Sequence, residues 1–114
     1  MGKAVWLSYD LDLVNGDYDG LFTLLDRLNA KECGTNLAFF KIEADDENVE
    51  DKVKQLIESN VKLTKNDRIY VIYKKENKVK GKFLFGKRKI NPPWKGFAHV
   101  LEEDISDEDD SWLR

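Results

Sequence analysis

Nine basic residues crowd into the 22 positions 74–95: Lys74, Lys75, Lys78, Lys80, Lys82, Lys87, Arg88, Lys89 and Lys95, with Glu76 the single acid among them. Cations spaced along a ribbon neutralise phosphates, and an aromatic side chain beside them stacks on a base. Lys78, Lys80 and Lys82 alternate, so a strand here places all three on one face, with Phe83 and Phe85 opposite. Lys87, Arg88, Lys89, Trp94 and Lys95 extend the stretch. These eight residues, Trp94 included, are the candidate contacts to RNA or DNA. A solvated edge strand guarded by lysines is the plainer alternative, but nine bases exceed what edge protection needs.

A second candidate is a carboxylate pair. Asp10 and Asp12 stand two apart near the end of a strand-like run. If the strand continues through both, their carboxylates share a face. Two hard oxygen ligands that close suit Mg²⁺, which keeps several waters and activates one. The pair is therefore the candidate catalytic site. The competing interpretation is that both aspartates end a strand and solvate a turn. His99 is the only histidine. It suits a general base near neutral pH, but Phe97-Ala98-His99-Val100 reads first as a half-buried strand. Cys33, the one cysteine, reads as a small apolar bystander. Gly81 and Gly86 sit within a hairpin, so no phosphate-cradling glycine loop is expected.

The formal net charge of −3 conceals an asymmetry. Residues 1–100 carry 18 Lys and Arg against 15 Asp and Glu, whereas residues 102–110 hold seven acids and no base. The expected organisation is one domain over residues 1–101 and an acidic tail over 102–114. That tail can mask the basic hairpin or dock a protein partner, with Trp112 and Leu113 as an apolar anchor. No run approaches the roughly 20 apolar residues of a membrane helix. The start leads directly into a strand pattern with no signal-peptide core. A single cysteine points to a reducing, cytoplasmic setting.

The elements that must position these residues follow from periodicity. Residues 4–13 alternate, with Val5, Leu7 and Tyr9 on one face and Trp6 and Ser8 on the other. Leu21, Leu24, Leu25 and Leu28 recur at helical spacing behind Asp17 and Asp19, either of which can cap the helix. Residues 36–44 form the second strand, opened by Cys33-Gly34-Thr35. Val49, Val53, Leu56 and Ile57 stripe a second helix that Asn60 ends. Residues 68–73 and 79–85 form a hairpin about Glu76-Asn77-Lys78, stopped by Pro92-Pro93. Residues 97–101 add a short last strand. The order β-α-β-α-β-β predicts an α+β, ferredoxin-like domain: an antiparallel sheet with two helices on one face. The other face is open, which favours a symmetric dimer.

Three segments also resemble a known group. Tyr9-Asp10-Leu11 ends the first strand, Gly16-Asp17-Tyr18-Asp19-Gly20-Leu21 opens the first helix, and Asn66-Asp67-Arg68-Ile69-Tyr70-Val71 enters the third strand. In this order they resemble the SinR/VapD-type proteins and the related small protein of CRISPR spacer adaptation, over roughly residues 4–75. The resemblance implies a ferredoxin-like homodimer in a group whose members include RNA-cleaving and DNA-binding proteins. It also implies Asp10 as the ligand of Mg²⁺ or another divalent ion, and hence an endoribonuclease of toxin or CRISPR-adaptation type. A non-catalytic, antitoxin-like module that binds a protein is the alternative.

Overall fold

The computed structural model describes residues 2–99. Strand β1 (Gly2–Asp10) leads to helix α1 (Tyr18–Arg27), then strands β2 (Lys31–Gly34) and β3 (Leu37–Glu43). A single 3-10 turn (Asp46–Asn48) enters helix α2 (Val49–Asn60), and strands β4 (Arg68–Lys75) and β5 (Lys78–Phe85) complete the domain. The five strands form one sheet in the order β2-β3-β1-β4-β5, every pairing antiparallel. This is an α+β domain, and no helix among the described residues is long and apolar enough to cross a membrane.

β1 lies at the centre because both its faces are apolar. Val5, Leu7 and Tyr9 are buried with Ala38, Phe40 and Ile42 of β3 and Ile69, Val71 and Tyr73 of β4. Leu21, Leu24 and Leu25 of α1 and Val49, Val53 and Ile57 of α2 close over them. Burying each such aliphatic side chain contributes roughly 1.5–3 kcal/mol, so this covered face dominates the stability.

Capping and turn chemistry set the helix ends. Asp17 caps α1 by accepting from the Gly20 amide at 2.9 Å, and it also accepts from the Lys62 amide at 2.8 Å. One carboxylate thus fastens the start of α1 to the segment leaving α2, and the Lys62 bond foremost lowers its pKa. After α1, Asn29 takes a left-handed φ of 55° and turns the chain. Asn60 ends α2, its side-chain amide donating to the Leu56 carbonyl at 2.7 Å.

The fold differs from the sequence expectation in three places. β2 is a separate edge strand joined to β3 by a turn at Thr35-Asn36; its residues are largely exposed and carry no alternating apolar signal. β1 stops at Asp10 instead of running to Leu13, because Leu11 turns into the core and residues 13–15 form a turn that leaves Leu13 and Val14 exposed. Residues 97–99 turn helically and are exposed, His99 included, where a half-buried strand was expected. The remainder of that strand, 100–101, and the acidic tail with Trp112 and Leu113 lie outside the described residues.

Candidate nucleic-acid interface

The Asp10–Asp12 pair does not form one site. Asp12 lies past the strand end, where one carboxylate oxygen accepts from the Val14 and Asn15 amides at 2.9 and 3.0 Å. The other oxygen accepts from the Asn66 side chain at 2.9 Å, the foremost cause of the lowered Asp12 pKa. Asp12 is thus a turn organiser, and the shared-face expectation fails because the chain leaves the strand between the two aspartates. Asp10 stays in the strand, on the face away from the helices, and Arg68 grips a single carboxylate oxygen with Nη2 at 2.6 Å and Nε at 3.2 Å. Within one chain the donors fit a divalent ion poorly: a guanidinium sits against Asp10, and Asp12 is spent on two turn amides and the Asn66 side chain.

Sequence reasoning passed over Asp67, which is 2% exposed. Its carboxylate accepts from the Asp12 amide at 2.7 Å, the Thr64 amide at 2.7 Å and the Thr64 hydroxyl at 3.0 Å. A buried carboxylate with that many donors organises structure. Together Asp12, Asn66 and Asp67 lock the loop after β1 to the loop before β4. The x-N-D-x turn chemistry before β4 was the available signal.

The basic stretch divides into two groups. Val71 pairs with Lys82, Tyr73 with Lys80, and Lys75 with Lys78. Because Val71 and Tyr73 point into the core, the lysines lie on the helix-covered side, along its exposed margin. Lys82 pairs there with Glu50 at 3.3 Å, and Glu50 also accepts from the Tyr73 hydroxyl at 2.6 Å. A register shift then occurs: Tyr70 faces Phe83, but Ile69 faces Phe85, leaving Leu84 as the extra residue of a bulge. Phe83 therefore lies on the open face, whereas Phe85 packs against the core beneath Lys54. The expectation that both phenylalanines share a face is corrected by this bulge.

Beyond β5 the chain returns over the open face. Arg88 lies 5.8 Å from the centre of the Phe83 ring. Arg68, Phe83, Arg88, Lys89, Pro92 and Trp94 help line a cleft of about 640 Å³ between the sheet and residues 88–94. Trp94 is 72% exposed. Lys87 is exposed on the same segment, and Lys95 donates to the Asn91 side chain at 2.9 Å. So the structure gathers Arg88, Lys89 and Trp94 with Arg68, and places Lys78, Lys80 and Lys82 on the other side of the sheet.

The cleft opens onto a surface of aromatic rings. Trp6 meets Phe39 at 5.1 Å between ring centres, and Tyr70 meets Phe83 edge-on at 4.8 Å. Leu37, Ser8, Tyr70 and Phe83 form one cross-strand row; Phe39, Trp6, Ile72 and Gly81 form the next. Gly81 lets the Tyr70 ring rest on its backbone: a Cβ there would lie 2.9 Å from Cζ of Tyr70, so the ring would have to move. Comparison with family models, with curated proteins and with solved structures returns no match for this chain.

Proposed function

We propose that the protein binds nucleic acid, using the cations of residues 87–89 together with Arg68 to hold phosphates. The observation that carries this reading is the cleft in which Arg68, Arg88 and Lys89 converge beside Phe83 and Trp94. Arg88 and Lys89, with Arg68 sharing its charge with Asp10, stand beside two aromatic rings and match a phosphate joined to a base. Lys78, Lys80 and Lys82 supply a more diffuse attraction from the other side of β5, with Lys82 reduced by Glu50. Lys95, next to Trp94 in sequence and bonded to Asn91, adds to the same potential.

A ferredoxin-like reading of the domain is supported by the sequence of elements from β1 to β4 and by the strand order β2-β3-β1-β4, with β5 added at the edge. Binding stands ahead of nuclease chemistry in this proposal, since Asp10 is occupied by Arg68. A Mg²⁺-dependent endoribonuclease would need Asp10 freed and further ligands brought by a second copy. A homodimer, if formed, would use a surface other than the aromatic face.

The test is fluorescence anisotropy of a labelled 20-base-pair duplex and a labelled 20-nucleotide single strand between 50 and 200 mM salt. Affinity should fall with a log–log slope of about −0.9 per phosphate neutralised on duplex and about −0.7 on single strand. Reversing the charges of Lys87, Arg88 and Lys89 to Glu should abolish binding. Affinity indifferent to salt would end the proposal.

A further inference from the structure

We infer that the open sheet face is a stacking platform for the unpaired bases of a single-stranded nucleic acid, whose phosphates run into the adjoining cationic cleft. This deepens the proposed function and rests on it. Two features carry it: the four rings of Trp6, Phe39, Tyr70 and Phe83 on the face that no helix among the described residues covers, and the continuity of that face with the cleft. Arg68 and Phe83 belong to both, lining the cleft under residues 88–94 and the shallow hollow floored by Ser8, Tyr70 and Ile72.

Ring type distinguishes this face. An ordinary solvated sheet face alternates to polar residues. Here the central positions are Trp6, Phe39, Tyr70, Ile72 and Phe83, each partly exposed. Aromatic side chains offer flat π-surfaces to a base irrespective of its identity, and a base can use them only when it is out of a duplex. A double helix presents no free base faces, so the platform selects single strands.

Charge decides between this occupant and a second copy of the chain. Alternation places Lys31 beside Phe39, Lys41 across from Ala4, and Lys74 across from Val79, all at the margin of the open face. Ion pairs among the described residues engage Lys3, Arg68, Lys75 and Lys82, and leave Lys31, Lys41, Lys74 and Lys89 without a carboxylate. Of the acids on this face, Asp10 is held by Arg68 and Glu43 lies at the far end of β3. A two-fold copy would bring these ammonium groups together; a polyanion neutralises them.

The experiment uses the full chain with fluorescein-labelled 12-nucleotide oligo(dT) and oligo(rU) and a 20-base-pair duplex. Trp94→Phe with Trp112→Phe leaves Trp6 as the sole tryptophan reporter. Both oligonucleotides should quench its emission along the same isotherm as the anisotropy. Trp6→Ala and Phe83→Ala should each weaken single-strand binding about five- to a hundredfold, the range for loss of one stacked base. In Trp6→Ala, which lies outside the cleft, the salt slope and duplex affinity should not move. Trp6→Phe should restore most of the loss and Trp6→Leu should not, while circular dichroism verifies the fold of every variant. Unchanged single-strand affinity in folded Trp6→Ala and Phe83→Ala overturns the stacking platform and leaves the phosphate cleft standing. Salt-dependent binding absent for every probe defeats both. Sedimentation showing a stable dimer that Trp6→Ala dissociates overturns the inference by assigning the face to a second copy.

Discussion

The two faces of the sheet are both apolar, yet they are built from different residues. On the covered face Val5, Leu7, Ile69 and Val71 are essentially removed from solvent beneath two helices. On the open face Trp6, Phe39, Tyr70 and Phe83 remain partly exposed and touch one another in tilted or edge-on pairs. Branched aliphatic chains interlock at high density and serve a closed interior. Half-exposed rings keep apolar area available for contact at the surface, in cores and interfaces alike. Apolar character on both sides of a strand therefore separates into a sealed interior and a half-exposed aromatic surface, the one to which base stacking is assigned under the proposed function.

The widest contrast lies in truncation. Leu7→Ala on the covered face should cost about 3 kcal/mol of folding stability. Trp6→Ala, its neighbour pointing the other way, should cost less, about 1.5 kcal/mol, because Trp6 is already 37% exposed and its loss leaves a solvent-open gap instead of a closed cavity. Chemical denaturation of both variants checks this; equal losses would erase the distinction.

Next is the contrast between two carboxylates. Asp67→Ala strands the Asp12 and Thr64 amides in a buried site and should cost about 3 kcal/mol. Asp10→Ala removes an ion pair whose side chains are 54% and 28% exposed, for Asp10 and Arg68 respectively, and should cost about 0.5 kcal/mol or less. Thermal unfolding at pH 7 reads both.

A smaller effect is the pH window of the covered margin. Burial, with the hydrogen bond to Glu50 behind it, pushes the Tyr73 hydroxyl up to about 12. The same bond, foremost, lowers the Glu50 carboxyl. Stability from the raised phenol is intact below its unfolded value near 10 and is lost as pH climbs through about 12. Stability from the depressed carboxylate is intact above its unfolded value near 4 and is lost as pH falls through the folded one. Tyrosine absorbance should show a late-titrating component that Tyr73→Phe diminishes, leaving the part due to Tyr9, which burial also raises. Asp17 follows the carboxylate sign, so Asp17→Asn should flatten the decline in melting temperature below pH 4.

The legible parts of the sequence were those in which one periodicity ran uninterrupted. The core of β1, the leucine stripe of α1 and the β4–β5 hairpin as far as Phe83 lie where alternation and helical spacing placed them. β2 was hidden because Lys31, Glu32 and Cys33 bury nothing and so leave no pattern. The aspartate pair misled because spacing of two implies a shared face only while the strand lasts, and β1 ends at Asp10. The aromatic face was only half legible. Trp6 and Ser8 could be assigned to the side opposite Val5, but the meeting of Trp6 with Phe39 and of Tyr70 with Phe83 depends on register between strands distant in sequence.

Leu84 shows how one unpaired residue can redirect a whole segment. By breaking the alternation it lets Leu84 and Phe85 serve the interior while Phe83 remains outside. The added twist at such a point bends the strand, and Gly86, at φ 78°, continues the bend immediately afterwards. Excising Leu84 would restore plain alternation with every ring still on its present side. The straightened exit would carry Arg88 and Lys89 away from Arg68, so the cleft these three cations line hangs on a single surplus leucine that does not line it.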